Sequence, residues 1–137
     1  PKVPAKIGEA ALEESLRFLS HHLLERGSDL REALVSNETF IDAGLAGLYG
    51  LPAPAGTGFQ KVTLPGSAPR AGLLTQIGFL AADSTPVETQ PMLRGRAILE
   101  SFLCEVVPEP PPDLMATLPP LPAGKSMTKR ERLARHR

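Results

Sequence analysis

The sequence predicts a mainly α fold, built of short helices with long proline-rich loops and room for one small β ribbon. Three observations predict it. Leucines recur at helical spacing near the start, fifteen prolines are spread over 137 residues, and one stretch alternates apolar and polar residues as a strand does. The apolar content of 42% is enough for one modest core, but five Phe, one Tyr and no Trp leave few large rings to fill it.

From Glu9 to Arg26 the residues Leu12, Leu16, Leu19 and Leu23 fall at helical spacing, with acids near the start and Arg26 then Gly27 at the end. That pattern is an amphipathic helix. Ser28 and Asp29 can cap a short second helix carrying Leu30, Ala33 and Leu34 and stopping near Ser36 and Asn37. In "TFIDAGLAGLYG", Thr39 and Asp42 have capping-box-like spacing, Ile41, Leu45 and Leu48 share a face, and Gly50 with Pro52 ends the element. Gly44 and Gly47 weaken this helix and allow a neighbouring backbone to come close.

Leu51 to Pro69 is a Pro/Gly-rich connection interrupted by Phe59–Leu64, which alternates as a short edge strand. The next stretch, "RAGLLTQIGFLAADS", reads as a helix on Leu73, Leu74, Ile77 and Leu80, although Gly72 and Gly78 also suit extended chain. A third long helix opens at Thr89 or Gln90 with Pro91 in its first turn, and Met92, Gly95, Leu99, Phe102 and Val106 lie along one side. Gly95 therefore falls on the expected packing face. From Pro108 the chain is a polyproline-like strap, and "TKRERLARHR" closes it with a Thr128–Glu131 capping box and a basic helix anchored by Leu133.

The net charge of zero hides an asymmetry. Residues 1–124 carry nine Lys/Arg against fourteen Asp/Glu, while 125–137 carry six against Glu131 alone. No aromatics are interleaved with that basic end, so it reads as a solvated helix, and nucleic acid is not an expected partner. No apolar run has membrane-spanning length. The chain opens at Pro1 without Met, which makes a processed or excised fragment the expectation.

Candidate chemistry is sparse. His21 and His22 sit mid-helix with only Glu25 and Arg26 at ligand spacing, so no metal site is expected. Cys104, the single cysteine, reads as a buried small hydrophobe or as half of a disulfide to sequence outside this chain. Asp83, Glu88 and Glu100 read as surface carboxylates, and Ser84 and Ser101 lack a nucleophile-elbow context. No catalytic constellation emerges. Arg70 and Arg94 each stand just ahead of a glycine at the head of an apolar element, where an arginine can fix a loop through carbonyls or meet an anionic group.

Taken in order, "NETFIDAGLAGLYGLP", "RAGLLTQIGFLA", "TQPMLRGRAILESFLC" with "PEPPPDL", and "TKRERLARHR" resemble the paired domains of unknown function DUF1592 and DUF1588. Those domains occur in large surface or periplasmic proteins of planctomycetes and myxobacteria. Arg70, Gly72, Thr89, Pro91, Arg94 and Gly95 match the family pattern, whereas Asp42, Ala71 and Gln90 replace its usual Asn, Gly and Ser. The resemblance implies that residues 1–50 are the last helices of a DUF1592-like domain. It makes 51–69 a connection, 70–124 a DUF1588-like core with its strap, and 125–137 a helix leading to a further C-terminal segment.

In that family a Cys-x-x-Cys-His motif, a c-type haem attachment signature, typically follows. The resemblance thus implies a non-catalytic packing and docking segment of an extracytoplasmic (periplasmic or cell-surface) c-type cytochrome-like protein in electron transfer. No cofactor is expected within the segment itself, and haem c is expected in the full-length protein. The implied partners are the remaining domains of the same polypeptide and a redox partner, with Arg70, Arg94 and His136 as candidates to face haem carboxylates. The alternative reading is a structural or binding module of a cell-surface protein, related to polysaccharide and without redox duty.

Overall fold

The computed structural model describes residues 6–82, 84, 89–109, 111 and 127–134. Most of the proline strap and His136 lie outside them. The chain forms two compact units, Pro1–Ser84 and Thr85–Arg137. It is mainly helical, with one small antiparallel sheet.

In the first unit, α1 (Ile7–Leu19) runs directly into a π-helical turn, Ser20–Glu25, closed by a bond from the Arg26 amide to the His21 carbonyl (3.0 Å) and by Gly27 in the left-handed region (φ 60°). Asp29 caps α2 (Leu30–Val35) by accepting from the Arg31 amide (2.8 Å). The Arg31 guanidinium on the same carboxylate brings it down to about 2. Residues Glu38–Ile41 then form β1, Ala43–Tyr49 form α3, Gln60–Thr63 form β2, and a 3₁₀ turn at Leu73–Thr75 leads into α4 (Ile77–Ala81). β1 and β2 pair antiparallel with Thr39 opposite Val62 and Ile41 opposite Gln60.

The strand expected at Phe59–Leu64 is present, but its partner is the segment that the sequence pattern made the start of a helix. Thr39 does not begin that helix: it lies in β1, and Asp42 alone caps α3 by accepting from the Leu45 amide (2.8 Å). The β-branched Thr39 and Ile41 alternate with Glu38 and Phe40, so Glu38–Ile41 satisfies a strand as readily as a helical turn, and pairing with β2 decides between them.

A larger reversal concerns α1. Its leucines would form the core face of an amphipathic helix, yet Leu12 and Leu16 are 61% and 55% exposed. Turned inward instead are Ala11, Glu14, Phe18 and, from the π turn, His22. Small Ala11 makes this possible, because α4 crosses so closely that a Cβ at Gly78 would stand 3.0 Å from the Ala11 carbonyl oxygen. Around Ala11 the core consists of Ile41, Leu45 and Ala46, with Ile7, Tyr49, Phe59, Val62 and Ile77 packed against it.

The segment ahead of α4 is seated on the end of α2 by one glycine. Gly72 has φ 68°, its amide donates to the Ser36 carbonyl (2.6 Å), and a Cβ there would overlap the Leu34 carbonyl. Gly47, by contrast, has open space at its Cβ position.

In the second unit, α5 (Pro91–Phe102) opens on Pro91 as the sequence requires, but it stops four residues short of Val106. The Glu105 amide bonds back to the Leu99 carbonyl (2.9 Å) across Cys104, which holds the left-handed position (φ 54°). Cys104 is exposed and free, not a buried hydrophobe. Open space surrounds the Cβ position of Gly95, so the close approach read from its place in the helix is not made among the described residues. The last helix, α6 (Lys129–Leu133), carries the expected capping box. The Thr128 amide donates to Glu131 Oε2 (2.7 Å), and the Glu131 amide donates to Thr128 Oγ1 (3.3 Å).

Urea unfolding tests the glycine seat. Gly72→Ala should cost about 3 kcal/mol through overlap and strain at positive φ, whereas Gly47→Ala should add about 0.5–1 kcal/mol as an unobstructed helix substitution. Equal midpoints for the two variants would contradict this packing.

Candidate functional site

α1 presents two unlike faces, and each carries a feature that ordinary core packing does not require. On the inner face Glu14 is completely buried. Its Oε1 accepts from Thr39 Oγ1 on β1 (2.6 Å) and from the Tyr49 hydroxyl at the end of α3 (2.6 Å). Gln76, also buried, donates from Nε2 to Thr39 Oγ1 (3.5 Å), and its Oε1 accepts from Ser15 Oγ on α1 (2.8 Å). One carboxyl thus ties α1, β1, α3 and the entry to α4 together. Its second oxygen, Oε2, is buried without a hydrogen-bond partner among the described residues.

Burial pushes the Glu14 carboxyl above its ordinary range, against the opposing pull of the Thr39 and Tyr49 hydrogen bonds and the Arg70 charge. Tyr49 is pushed upward as well, first by burial and then by its bond to Glu14. Arg70 lies over the Tyr49 ring, 5.2 Å from its centroid, and donates from Nη1 to the Thr75 carbonyl (3.1 Å). Sealed from solvent, Glu14 meets no substrate. It can hold a proton and fix four elements.

Beside this network the π turn carries the histidine pair. His22 is buried, 4.5 Å from the Phe18 ring, and neither ring nitrogen has a partner among the described residues. Burial, reinforced by Arg26, depresses its basicity. His21 meets Glu25 through Nδ1 (2.8 Å), while Glu38 lies 3.8 Å from its Nε2 and is engaged by Arg26 (3.1 Å) and Lys61 (3.4 Å). Among the described residues no group of three or more His, Cys, Asp or Glu side chains can hold a metal ion.

The outer face is apolar. Leu12 and Leu16 continue into Leu23 and Leu24, the last 80% exposed. Glu13 and Arg17, paired at 2.7 Å, lie on the same helix and line a shallow groove beside Leu16 with Ser20, Glu25 and Phe40. No helix among the described residues is long and apolar enough to cross a membrane.

The three residues singled out from the sequence are not brought together. Arg70 belongs to the Glu14 network in the first unit. Arg94 lies on α5 in the second, where its Nη1 donates to Thr89 Oγ1 (2.7 Å). His136 is outside the described residues. Glu14, Thr39, Tyr49 and Gln76 are what the sequence reading missed. The available signal was the spacing 11, 14, 18, 22, a second helical stripe offset from the leucines, together with the only tyrosine of the chain.

Residues 70–137 match the family model described as PSCyt3, a protein of unknown function (DUF1588). No curated protein and no solved structure matches the chain. The match covers Arg70, Arg94 and His136, and it supports the second of the two families that the motifs resemble.

The Glu14 carboxyl gives stability a definite pH sense. Its folded pKa lies above the ordinary 4.5, so its contribution is fully present below pH 4.5 and is lost as pH rises through the folded value. The unfolding free energy of the natural chain relative to Glu14→Gln should therefore fall from pH 4 to 7, and a constant difference would contradict a buried, proton-holding Glu14. Tyr49→Phe removes one of the two donors to Oε1 and should cost about 1.5–3 kcal/mol by urea titration at neutral pH.

Proposed function

We propose that this chain is a packing and docking segment of a larger extracytoplasmic, c-type cytochrome-like protein of electron transfer, with no reaction of its own. The observation that carries the docking part is the outward stripe Leu12–Leu16–Leu23–Leu24 on a helix whose other face is already filled. Four leucines in one stripe are more apolar surface than a soluble domain ordinarily leaves uncovered, and another domain of the same polypeptide is the proposed cover. Support for the cytochrome part comes from the name PSCyt3 attached to the family that residues 70–137 match.

The residues of this chain do not themselves build a c-type haem site. Thioether attachment uses two cysteines, and the sequence has Cys104 alone. Arg70 is committed to the Thr75 carbonyl and the Tyr49 ring, which makes it a loop anchor. In this reading a haem held by other sequence does the redox work. These residues shape and cover their share of the assembly.

The test is made on the full-length polypeptide. A soluble paramagnetic probe should broaden the methyl signals of Leu12, Leu16 and Leu24 in the 137-residue chain and leave them sharp in the full-length protein. The pyridine haemochrome spectrum of the full-length protein should show c-type haem, and Leu16→Ser should shift its midpoint potential. Methyl groups equally accessible in both proteins overturn the docking, and a full-length protein without haem overturns the redox setting.

A further inference from the structure

The π turn that follows α1 encloses a histidine whose ring nitrogens have nothing to bond. We infer that this turn, Ser20–Glu25, is an acid-sensitive latch: protonation of His22 opens it and releases the chain between α1 and α2. Leu23 and Leu24 ride on the same turn, so its opening rearranges one end of the exposed stripe whether or not a partner covers that stripe. The latch requires neither the haem nor the docking partner of the reading above.

Enclosure is the first observation. His22 is 2% exposed, and both Nδ1 and Nε2 are buried without a hydrogen-bond partner among the described residues. The Phe18 ring tilts against it at 4.5 Å, and the His21 ring meets it edge-on at 5.6 Å. A neutral imidazole carries one donor and one acceptor, whereas the imidazolium carries two donors and a full charge. Enclosed among rings, that charged form costs far more than the neutral one.

The second observation is the charge around the ring. Burial opposes a proton on His22 most strongly, followed by Arg26 at the close of the turn, and His21 adds to them; Glu38 of β1 and Glu32 of α2 act the other way. From α1 the facing group is the uncharged Phe18. The acids do not win: Glu38 already serves Arg26 (3.1 Å) and Lys61 (3.4 Å), and Glu25 serves His21 Nδ1 (2.8 Å).

Third, the turn is a local departure from the α-helical ladder. Its end is held by the Arg26 amide on the His21 carbonyl (3.0 Å) and the Ser28 amide on the His22 carbonyl (2.8 Å), on either side of Gly27 at positive φ. Parting these bonds leaves the core around Ile41 and Leu45 intact and costs less than unfolding it. Once the turn is open, His22 meets water and regains its ordinary pKa of 6.5. The open form then binds the proton that the closed form refuses, so opening grows as pH falls below 6.5, by up to about tenfold per pH unit, until the closed ring itself titrates. Glu14 acts in the opposite sense on whole-chain stability and stays in place when the turn alone opens.

Amide hydrogen exchange of the 137-residue chain at about pH 7 and pH 5 tests the latch, with each rate divided by that of the unprotected amide. Protection at Arg26 and Ser28 should fall about five- to tenfold between the two. Ala46 in α3, whose amide donates to the Asp42 carbonyl (3.0 Å), should keep its protection. His22→Phe sets a ring against Phe18 that cannot titrate and should abolish the pH dependence, while His21→Gln should retain it. If His22→Phe fails to fold, the ring-proton shifts of His22 in the natural chain decide, with a midpoint below 6.5 expected. A midpoint at or above 6.5, constant protection at Arg26 and Ser28, an unchanged pH dependence in His22→Phe, or its loss in His21→Gln overturns the latch. An equal loss of protection at Ala46 overturns the local opening and with it the release of the turn.

Discussion

The first unit depends on one buried carboxyl. Glu14 has no contact with solvent, and its Oε1 holds Thr39 and Tyr49 at 2.6 Å each. Removing such a group from water is costly unless hydrogen bonds return the interaction, and the two bonds to Oε1 fix where Thr39 and Tyr49 must stand. Thr39 can reach it only if residues 38–41 are extended and not helical. Tyr49 can reach it only from the last turn of α3. Gln76, bonded to both Thr39 and Ser15, fixes the crossing of α4 over Ala11. The ribbon, the helix directions and the seat of Gly72 against α2 all agree with this centre.

The same constraint explains why Leu12 and Leu16 of α1 face outward. Rotating the helix to bury Leu12 and Leu16 would bring Glu14 toward solvent and break the bonds to Thr39 and Tyr49. Phe18 and His22 of the π turn, their rings tilted against each other 4.5 Å apart, reinforce the observed rotation. The π turn also changes the phase of the helix, so Leu24 joins the outer face beside Leu23. The helix and its π turn use a small, a charged and two ring residues for core contact and leave Leu12, Leu16 and Leu24 exposed. This links the inner chemistry to docking as the proposed role.

Periodicity made most elements legible. α1, α2 with its Asp29 cap, the Pro91 start of α5, the strand near Phe59–Leu64 and the Thr128–Glu131 box all follow from local rules about spacing and capping. What periodicity missed was tertiary. Two helical stripes overlap in α1, and apolar content alone favours the leucines; only Thr39, Tyr49 and Gln76, 25 or more residues away in sequence, give Glu14 a reason to be inside. Glu38–Ile41 is short enough for strand pairing to override its helical reading. Of the site residues picked from sequence, Arg70 proved to be tied to the buried carboxyl's tyrosine, and Arg94 to the Thr89 hydroxyl just ahead of α5. Gly95 and Cys104 lie on or near an apolar helix, a place that suggests packing, yet among the described residues nothing approaches the Cβ position of Gly95, and Cys104, just past the early stop of α5, is exposed.

The rotation of α1 is the central claim, and the unfolding free energy of Leu16→Ser measures it most directly. With Glu14 as the inner anchor and Leu16 already facing water, this variant should unfold within about 0.5 kcal/mol of the natural chain. A loss of about 3 kcal/mol, the cost of emptying a leucine site in a packed core, would mean that the leucine stripe is the core face and that the account built on Glu14 is wrong.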